Sequence, residues 1–148
     1  MKALIVYDSA YGNTEKIAKS IGNALSGDVK VVRVNSVNLS DLESISFLIV
    51  GSPTYAGRPT PPVRNFLKKI PKSSLKDKKV AAFDTRVSAK FAKIFGYASN
   101  RISKILKAKG GIPVLSPEGF FVKGTEGPLY EGEEERATGW TKGYKRFK

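Results

Sequence analysis

Short apolar runs and amphipathic stretches alternate along the chain. Residues 2–8 (KALIVYD) form a nearly continuous run rich in β-branched side chains, which is typical of a strand covered on both faces. Over residues 13–25 the apolar side chains recur at helical spacing, and Gly27 then supplies a stop signal. The pattern predicts a buried strand followed by an amphipathic helix.

The same alternation continues to the end of the chain. Further strands are predicted at residues 29–34, 46–52, 79–84 and 112–115, the last resuming at 120–123. Helices are predicted at 40–44 with Ser40 as N-cap, at 61–69, at about 98–109, and after the acidic run 133–135. Pro61 and Pro62 suit a first helical turn, because the N–H that proline lacks has no partner there.

Five strands that alternate with five helical segments predict an α/β fold with a doubly wound, five-stranded parallel sheet, since parallel neighbours need crossovers that cover both sheet faces. Right-handed crossovers place the first and last helices on one face and the middle three on the other. Ligands of such sheets bind beyond the carboxyl ends of the strands. The loops after strands one, three and four are therefore the candidates for a site.

Composition limits the chemistry that this fold could carry. The 148 residues are 41% hydrophobic, enough to bury one core, and we expect a single domain over residues 1–148. The sequence contains no cysteine and no histidine, which excludes disulfides, thiolate nucleophiles, Ser-His-Asp triads and the common zinc sites. We expect no metal site, and chemistry must come from hydroxyls, amides, carboxylates or a bound cofactor.

No apolar run in the sequence is long enough to cross a membrane. The longest runs are strand-sized, whereas a spanning helix needs about 20 residues. The first residues also lack the length and the small-residue cleavage site of a secretory signal. We therefore expect no membrane span and a cytoplasmic location.

Positive charge is concentrated in one part of the chain. Lysine and arginine number 26 against 13 acidic residues, a net charge of +13, and residues 64–109 hold 14 of these cations against only Asp77 and Asp84. Such asymmetry predicts a surface for an anionic partner, although each lysine alone could be a solvated side chain. Nucleic acid is the least expected partner, because no aromatic platform is interleaved with the cations.

The loop after the first strand has the chemistry of an anion site. It lies before a helix N-terminus, where unpaired N–H groups and the macrodipole attract negative charge, and Ser9, Asn13 and Thr14 can each donate a hydrogen bond. The loop has neither G-x-G-x-x-G nor G-K-[ST], so NAD or a nucleoside triphosphate is not expected. The loop predicts a bound phosphate; the alternative is that Asn13 only caps the helix.

Residues 4–18 (LIVYDSAYGNTEKIA) resemble the signature of the flavodoxin family, which places the phosphate of FMN in this loop. Residues 51–55 (GSPTY) are similar to the second flavin loop, and 83–85 (FDT) stand where the third lies. The resemblance covers the whole chain and implies a short-chain form, the strand order 2-1-3-4-5 and FMN as cofactor. The cofactor-binding residues that we predict are Ser9, Ala10, Tyr11, Gly12, Asn13, Thr14, Pro53, Thr54, Tyr55, Ala56, Gly57, Asp84, Thr85 and Arg86.

The second loop, residues 51–60, offers a planar side chain for the flavin. Tyr55 follows a buried strand and could stack on the ring, or else it simply packs over the loop. Thr54 can supply a hydroxyl to the ribityl chain or the phosphate. Members of the family commonly have a glycine after the stacking aromatic, whose peptide flips on reduction. Here Ala56 precedes Gly57, so we expect a flip that is displaced by one residue or costs more, because alanine tolerates positive φ poorly.

The third loop, residues 84–88, is expected to border the pyrimidine edge of the ring through backbone groups. Asp84 could equally cap the next helix. A second stacking aromatic, frequent in the family, has no counterpart here before Phe91, Phe95 and Tyr97.

The resemblance implies a small electron carrier in which FMN supplies one- and two-electron chemistry. An FMN-dependent oxidoreductase of the quinone or porphyrinogen type is the alternative, although the sequence contains no lid-sized insert and no evident acid/base pair, and we predict no catalytic residues. Flavodoxins are usually acidic. The basic segment 64–109 therefore predicts redox partner proteins with acidic surfaces.

Overall fold

A computed structural model describes residues 1–87 and 97–147 of the chain. Within them, a parallel sheet has the order β2-β1-β3-β4-β5, and β6 also pairs with β4. The strands are β1 (Lys2–Tyr7), β2 (Asp28–Arg33), β3 (Phe47–Pro53), β4 (Lys79–Val87), β5 (Ile112–Pro113) and β6 (Glu118–Val122). Because β5 pairs with the start of β4 and β6 with its end, the fifth position of the sheet is filled by two short strands. The predicted order 2-1-3-4-5 is confirmed.

Four α-helices and three 3₁₀ segments connect the strands in the described residues. They are α1 (Asn13–Ala24), α2 (Pro61–Lys69), α3 (Ala98–Ala108) and α4 (Glu133–Thr141), with 3₁₀ segments at Val34–Ser36, Leu39–Leu42 and Lys142–Phe147. Helix α2 begins at Pro61, as predicted. Ser40 as an N-cap is wrong, because the 3₁₀ segment is preceded by Asn38, whose N–H donates to the carboxylate of Asp41 at 3.1 Å. Ser40 therefore lies inside the segment.

The helices cover the two faces of the sheet as the handedness rule requires. Helices α1 and α4 contact each other on one face, where Ile17, Ile21 and Ala137 pack against Phe47 and Phe83. Helices α2 and α3 and the Leu39–Leu42 segment lie on the other face in a second apolar cluster. The predicted division into first and last helices against the middle three is confirmed for the described residues.

Strand β4 extends beyond its predicted end at residue 84. Asp84, Thr85 and Arg86 are paired in register with Gly119, Phe120 and Phe121, so the sequence reading of residues 84–87 as a loop is wrong. The reason is that β6 supplies a partner for these residues. Ser88, at the end of the predicted third loop, and the candidate aromatics Phe91 and Phe95 lie outside the described residues.

Residues 1–87 and 97–147 contain no helix that is long and apolar enough to cross a membrane. The same residues contain no group of three or more acidic side chains placed to hold a metal ion.

Candidate functional site

A cleft opens at the carboxyl ends of β1, β3 and β4. Its wall is formed by Ser9, Ala10, Tyr11, Asn13, Thr14, Pro53, Thr54, Tyr55, Thr85, Arg86, Val87, Val122 and Thr125. Ten of the fourteen predicted cofactor-binding residues are among them. Gly12, Ala56, Gly57 and Asp84 do not line the cleft.

The first loop is held by the hydroxyl of Ser9. Its Oγ accepts hydrogen bonds from the N–H groups of Gly12 at 3.0 Å and Glu15 at 3.4 Å. Gly12 precedes α1 with a φ of +89°, a left-handed conformation that glycine adopts without steric cost. Since Oγ accepts both bonds, the hydroxyl hydrogen of Ser9 is left to donate into the cleft.

Asn13 does not cap the helix, and the alternative reading is therefore wrong. Its Nδ2 donates to the carbonyl oxygen of Glu126 at 3.2 Å, and a Cβ on Gly127 would lie 2.6 Å from the Asn13 amide. These contacts belong to a hairpin over residues 122–129, closed by the N–H of Gly127 donating to Gly124 O at 2.9 Å. Asn13 thus joins the hairpin to the first loop.

The hairpin supplies two wall residues that sequence reasoning missed, Val122 and Thr125. Thr125 lies in the turn between Gly124 and Gly127. The two glycines three residues apart after an apolar run are a turn signal that could have indicated the hairpin, but nothing local indicates that this turn reaches the first loop.

Two buried threonines connect the first loop to β4. The hydroxyl oxygens of Thr14 and Thr85 are 2.8 Å apart, and the residues are 1% and 5% exposed. One hydroxyl hydrogen is used in this bond, and the other remains available as a donor.

The second loop turns tightly after Tyr55. Tyr55 and Arg58 exchange backbone hydrogen bonds of 3.0 and 2.9 Å around Ala56 and Gly57, whose φ angles are +49° and +78°. Positive φ at both central residues defines a type I′ turn. The alanine that the sequence analysis regarded as costly therefore adopts the left-handed conformation itself.

Tyr55 is 42% exposed and borders the cleft, as does Tyr11 at 52%. Partial burial raises the pKa of the Tyr55 phenol, with smaller contributions from Tyr11 and Asp8. The exposed ring is accessible to a ligand, and its stacking on a flavin stays a prediction. Thr54 accepts a hydrogen bond from the N–H of Ala98 at 3.1 Å, which leaves its own hydroxyl hydrogen to donate.

Asp84 is fully buried in β4 and accepts one N–H of the first turn of α3, although the N-cap position of that helix is held by Tyr97. Its Oδ2 accepts the N–H of Ser99 at 2.9 Å, and its two oxygens accept bonds of 2.7 Å from Nε and Nη2 of Arg86. A bidentate pair fixes the guanidinium strongly. Asp84 therefore positions Arg86 and offsets its charge, whereas Arg86 itself borders the cleft.

The guanidinium of Arg86 occupies a narrow slot. Its Cζ is 3.3 Å from the centre of the Tyr97 ring. A Cβ added to Gly119 would lie 2.0 Å from Arg86 Nε, so only glycine leaves room there. Tyr97, a candidate for the second stacking aromatic, packs on Arg86 instead.

The sheet order and the position of the cleft define a flavodoxin-like α/β protein. Residues 4–110 match the family model described as flavodoxin domain, and the chain belongs to the flavodoxin family. A flavodoxin of Haemophilus influenzae is 29% identical over 132 residues, covering 86% of this chain and 76% of the relative.

Solved structures agree with this assignment. A flavodoxin from the domain Archaea has 25% sequence identity and a TM-score of 0.79, and the match covers 95% of this chain and 94% of that one. Flavodoxin 2 from Bacillus cereus has 23% identity and a TM-score of 0.84 over 100% of both chains, a likeness of fold.

Proposed function

We propose that this chain binds FMN in the cleft and carries electrons between redox partner proteins. The flavodoxin family consists in general of FMN-binding electron-transfer proteins. The observation that carries the proposal is the convergence of an anion-binding loop and an exposed tyrosine, Tyr55, on one cleft.

The first loop fits a phosphate monoester by the chemistry of its donors. Within the described residues, the N–H groups of Asn13 and Thr14 at the start of α1 have no hydrogen-bond partner. The hydroxyl of Ser9 and one hydroxyl of the Thr14–Thr85 pair add two donors beside them. Unpaired N–H groups at a helix N-terminus together with hydroxyls are a usual phosphate site.

The other end of the cleft fits a flat, largely apolar ring system. Tyr55 and Tyr11 offer exposed aromatic surface, and Arg86 on β4 adds a polar group to the same cleft. Bound FMN would supply the one- and two-electron chemistry, and the chain would bind and orient it. The residues present therefore fit the cofactor.

An FMN-dependent oxidoreductase acting on a quinone or a porphyrinogen is the alternative function. Steady-state turnover of NAD(P)H with a quinone distinguishes it from a carrier, which would show no substrate-specific rate. A carrier with partner proteins is our preferred proposal, and a cytoplasmic location remains our prediction from the sequence.

The partners are proposed to carry acidic surfaces. Helices α2 and α3 lie on the same face of the sheet and expose Lys68, Lys69, Lys104 and Lys107. Attraction between such a face and an acidic partner accelerates association and weakens with ionic strength.

Removing two hydroxyls tests the phosphate end. We expect Ser9→Ala combined with Thr14→Ala to weaken FMN binding at least about tenfold, because hydrogen bonds to a charged group contribute roughly 1.5–3 kcal/mol each. Fluorescence quenching measures the affinity, and Ser20→Ala on the same helix is the control. Unchanged FMN affinity in the double variant would contradict the assignment of this loop.

A further inference from the structure

Two carboxylates lie beside the loop that is proposed to bind the phosphate. Asp8 accepts the N–H of Ser9 at 2.9 Å on one oxygen and the hydroxyl of Thr60 at 2.6 Å on the other. Glu15, in the first turn of α1, accepts the hydroxyl of Tyr7 at 2.5 Å, a bond that lowers the pKa of this carboxyl. Negative charge so close to the loop opposes the binding of an anion.

Arg33, the last residue of β2, lies between these groups. Its Nη1 donates to the carbonyl oxygen of Ser9 at 2.9 Å and is 4.0 Å from Asp8 Oδ1, and its Nη2 is 3.8 Å from Glu15 Oε2. Its Cζ is 5.5 Å from the centre of the Tyr7 ring. One guanidinium thus donates a hydrogen bond to a carbonyl oxygen of the loop and lies near both carboxylates.

We propose that Arg33 is a positioning residue that makes this loop selective for a phosphate monoester. By donating to the Ser9 carbonyl oxygen it fixes that peptide of the loop, and by lying near Asp8 and Glu15 it offsets their negative charge. The proposal rests on the proposed function, since it concerns the same cleft. Arg33 would thus favour the binding of a phosphorylated flavin over that of a flavin without a phosphate.

The ion pairs of Arg33 are expected to contribute little to the stability of the fold. Its side chain is 41% exposed, and both carboxylates are at the outer limit of an ion pair. Exposed pairs of this kind contribute little to stability. An effect of Arg33 should therefore be seen in ligand affinity rather than in unfolding.

The test compares Arg33→Gln with Lys30→Gln, which removes an equal charge from an exposed position on the same strand. The chain and both variants, freed of cofactor, are titrated with FMN and with riboflavin at low and high salt. We expect Arg33→Gln to lose FMN affinity on the order of tenfold at low salt, and less at high salt. Riboflavin affinity and the urea midpoint should stay unchanged, and Lys30→Gln should match the unsubstituted chain.

Two results would overturn the inference alone. Equal losses for FMN and riboflavin would make Arg33 a support of the loop without phosphate selectivity, and an unchanged FMN affinity would leave it without a role. If the unsubstituted chain binds neither flavin, the proposed function falls, and this inference with it. A third variant, Arg33→Lys, should lose less FMN affinity than Arg33→Gln, because lysine keeps the positive charge although it lacks the forked donors of the guanidinium.

Discussion

Ala56 carries a methyl group in a backbone conformation that glycine adopts more readily. Its φ is +49° in the turn after Tyr55. A left-handed conformation costs a non-glycine residue roughly 1–2 kcal/mol. Strain of this kind often collects at functional sites, and this turn adjoins the cleft.

Replacing Ala56 by glycine should raise the free energy of unfolding by about 0.5–1 kcal/mol, because relief of the left-handed strain exceeds the entropy that glycine adds to the unfolded chain. Urea denaturation of the cofactor-free protein measures it. Ala10→Gly is the matched control, an exposed loop alanine without positive φ, and should be slightly destabilising. If both substitutions lower stability alike, the turn is not strained at Ala56.

Ionisation of Tyr7 makes the free energy of unfolding depend on pH in the alkaline range. Burial, and then its hydrogen bond to Glu15, raise the pKa of the phenol to about 12. Because the folded-state pKa is raised, the stabilisation is complete below pH 10 and is lost as the pH rises towards 12, a loss of about 2–3 kcal/mol. We expect Tyr7→Phe to flatten the fall in the free energy of unfolding over this range.

The control for this pH dependence is Tyr130→Phe, which removes an exposed hydroxyl. It should leave the alkaline slope as it is in the unsubstituted chain. Parallel slopes for Tyr7→Phe and the unsubstituted chain would show that Tyr7 does not contribute.

At the scale of elements, β6 determines what β4 presents to the cleft. Gly119 leaves the space in which the Arg86 guanidinium reaches the buried Asp84. We expect Gly119→Ala to lower the free energy of unfolding by about 2–4 kcal/mol, because displaced Arg86 would leave a buried carboxylate unpaired. Chemical denaturation measures the loss.

Gly124→Ala is the control for this substitution. A Cβ there would meet one carbonyl at 3.9 Å, an ordinary contact, and should cost less than about 1 kcal/mol. Equal effects of the two substitutions would mean that the slot at Gly119 has no special role.

Contacts between elements that are distant in sequence also limit what the sequence could predict. The first loop was predictable because its donors and the helix that follows are contiguous in sequence. The strand character of residues 84–87 and the approach of Thr125 were not, because both depend on β6 and its hairpin, which lie more than 30 residues further along the chain. The role of Asp84 was left open for the same reason, since Ser99 is 15 residues away.

At the scale of the whole molecule, the sheet order and the division of helices between its faces followed from alternating apolar runs and crossover handedness. The two-piece fifth strand was predictable because an apolar run resumes after residue 117. Ion pairs such as Arg33 with Asp8 were not, because pairing between β1 and β2 brings together residues that are far apart in sequence.

The measurement that tests the central claim most directly is a crystal structure of the chain with FMN. The account predicts the phosphate against the N–H groups of Asn13 and Thr14 and the ring beside Tyr55. A cleft without flavin at saturating FMN, or flavin bound elsewhere on the molecule, would contradict it.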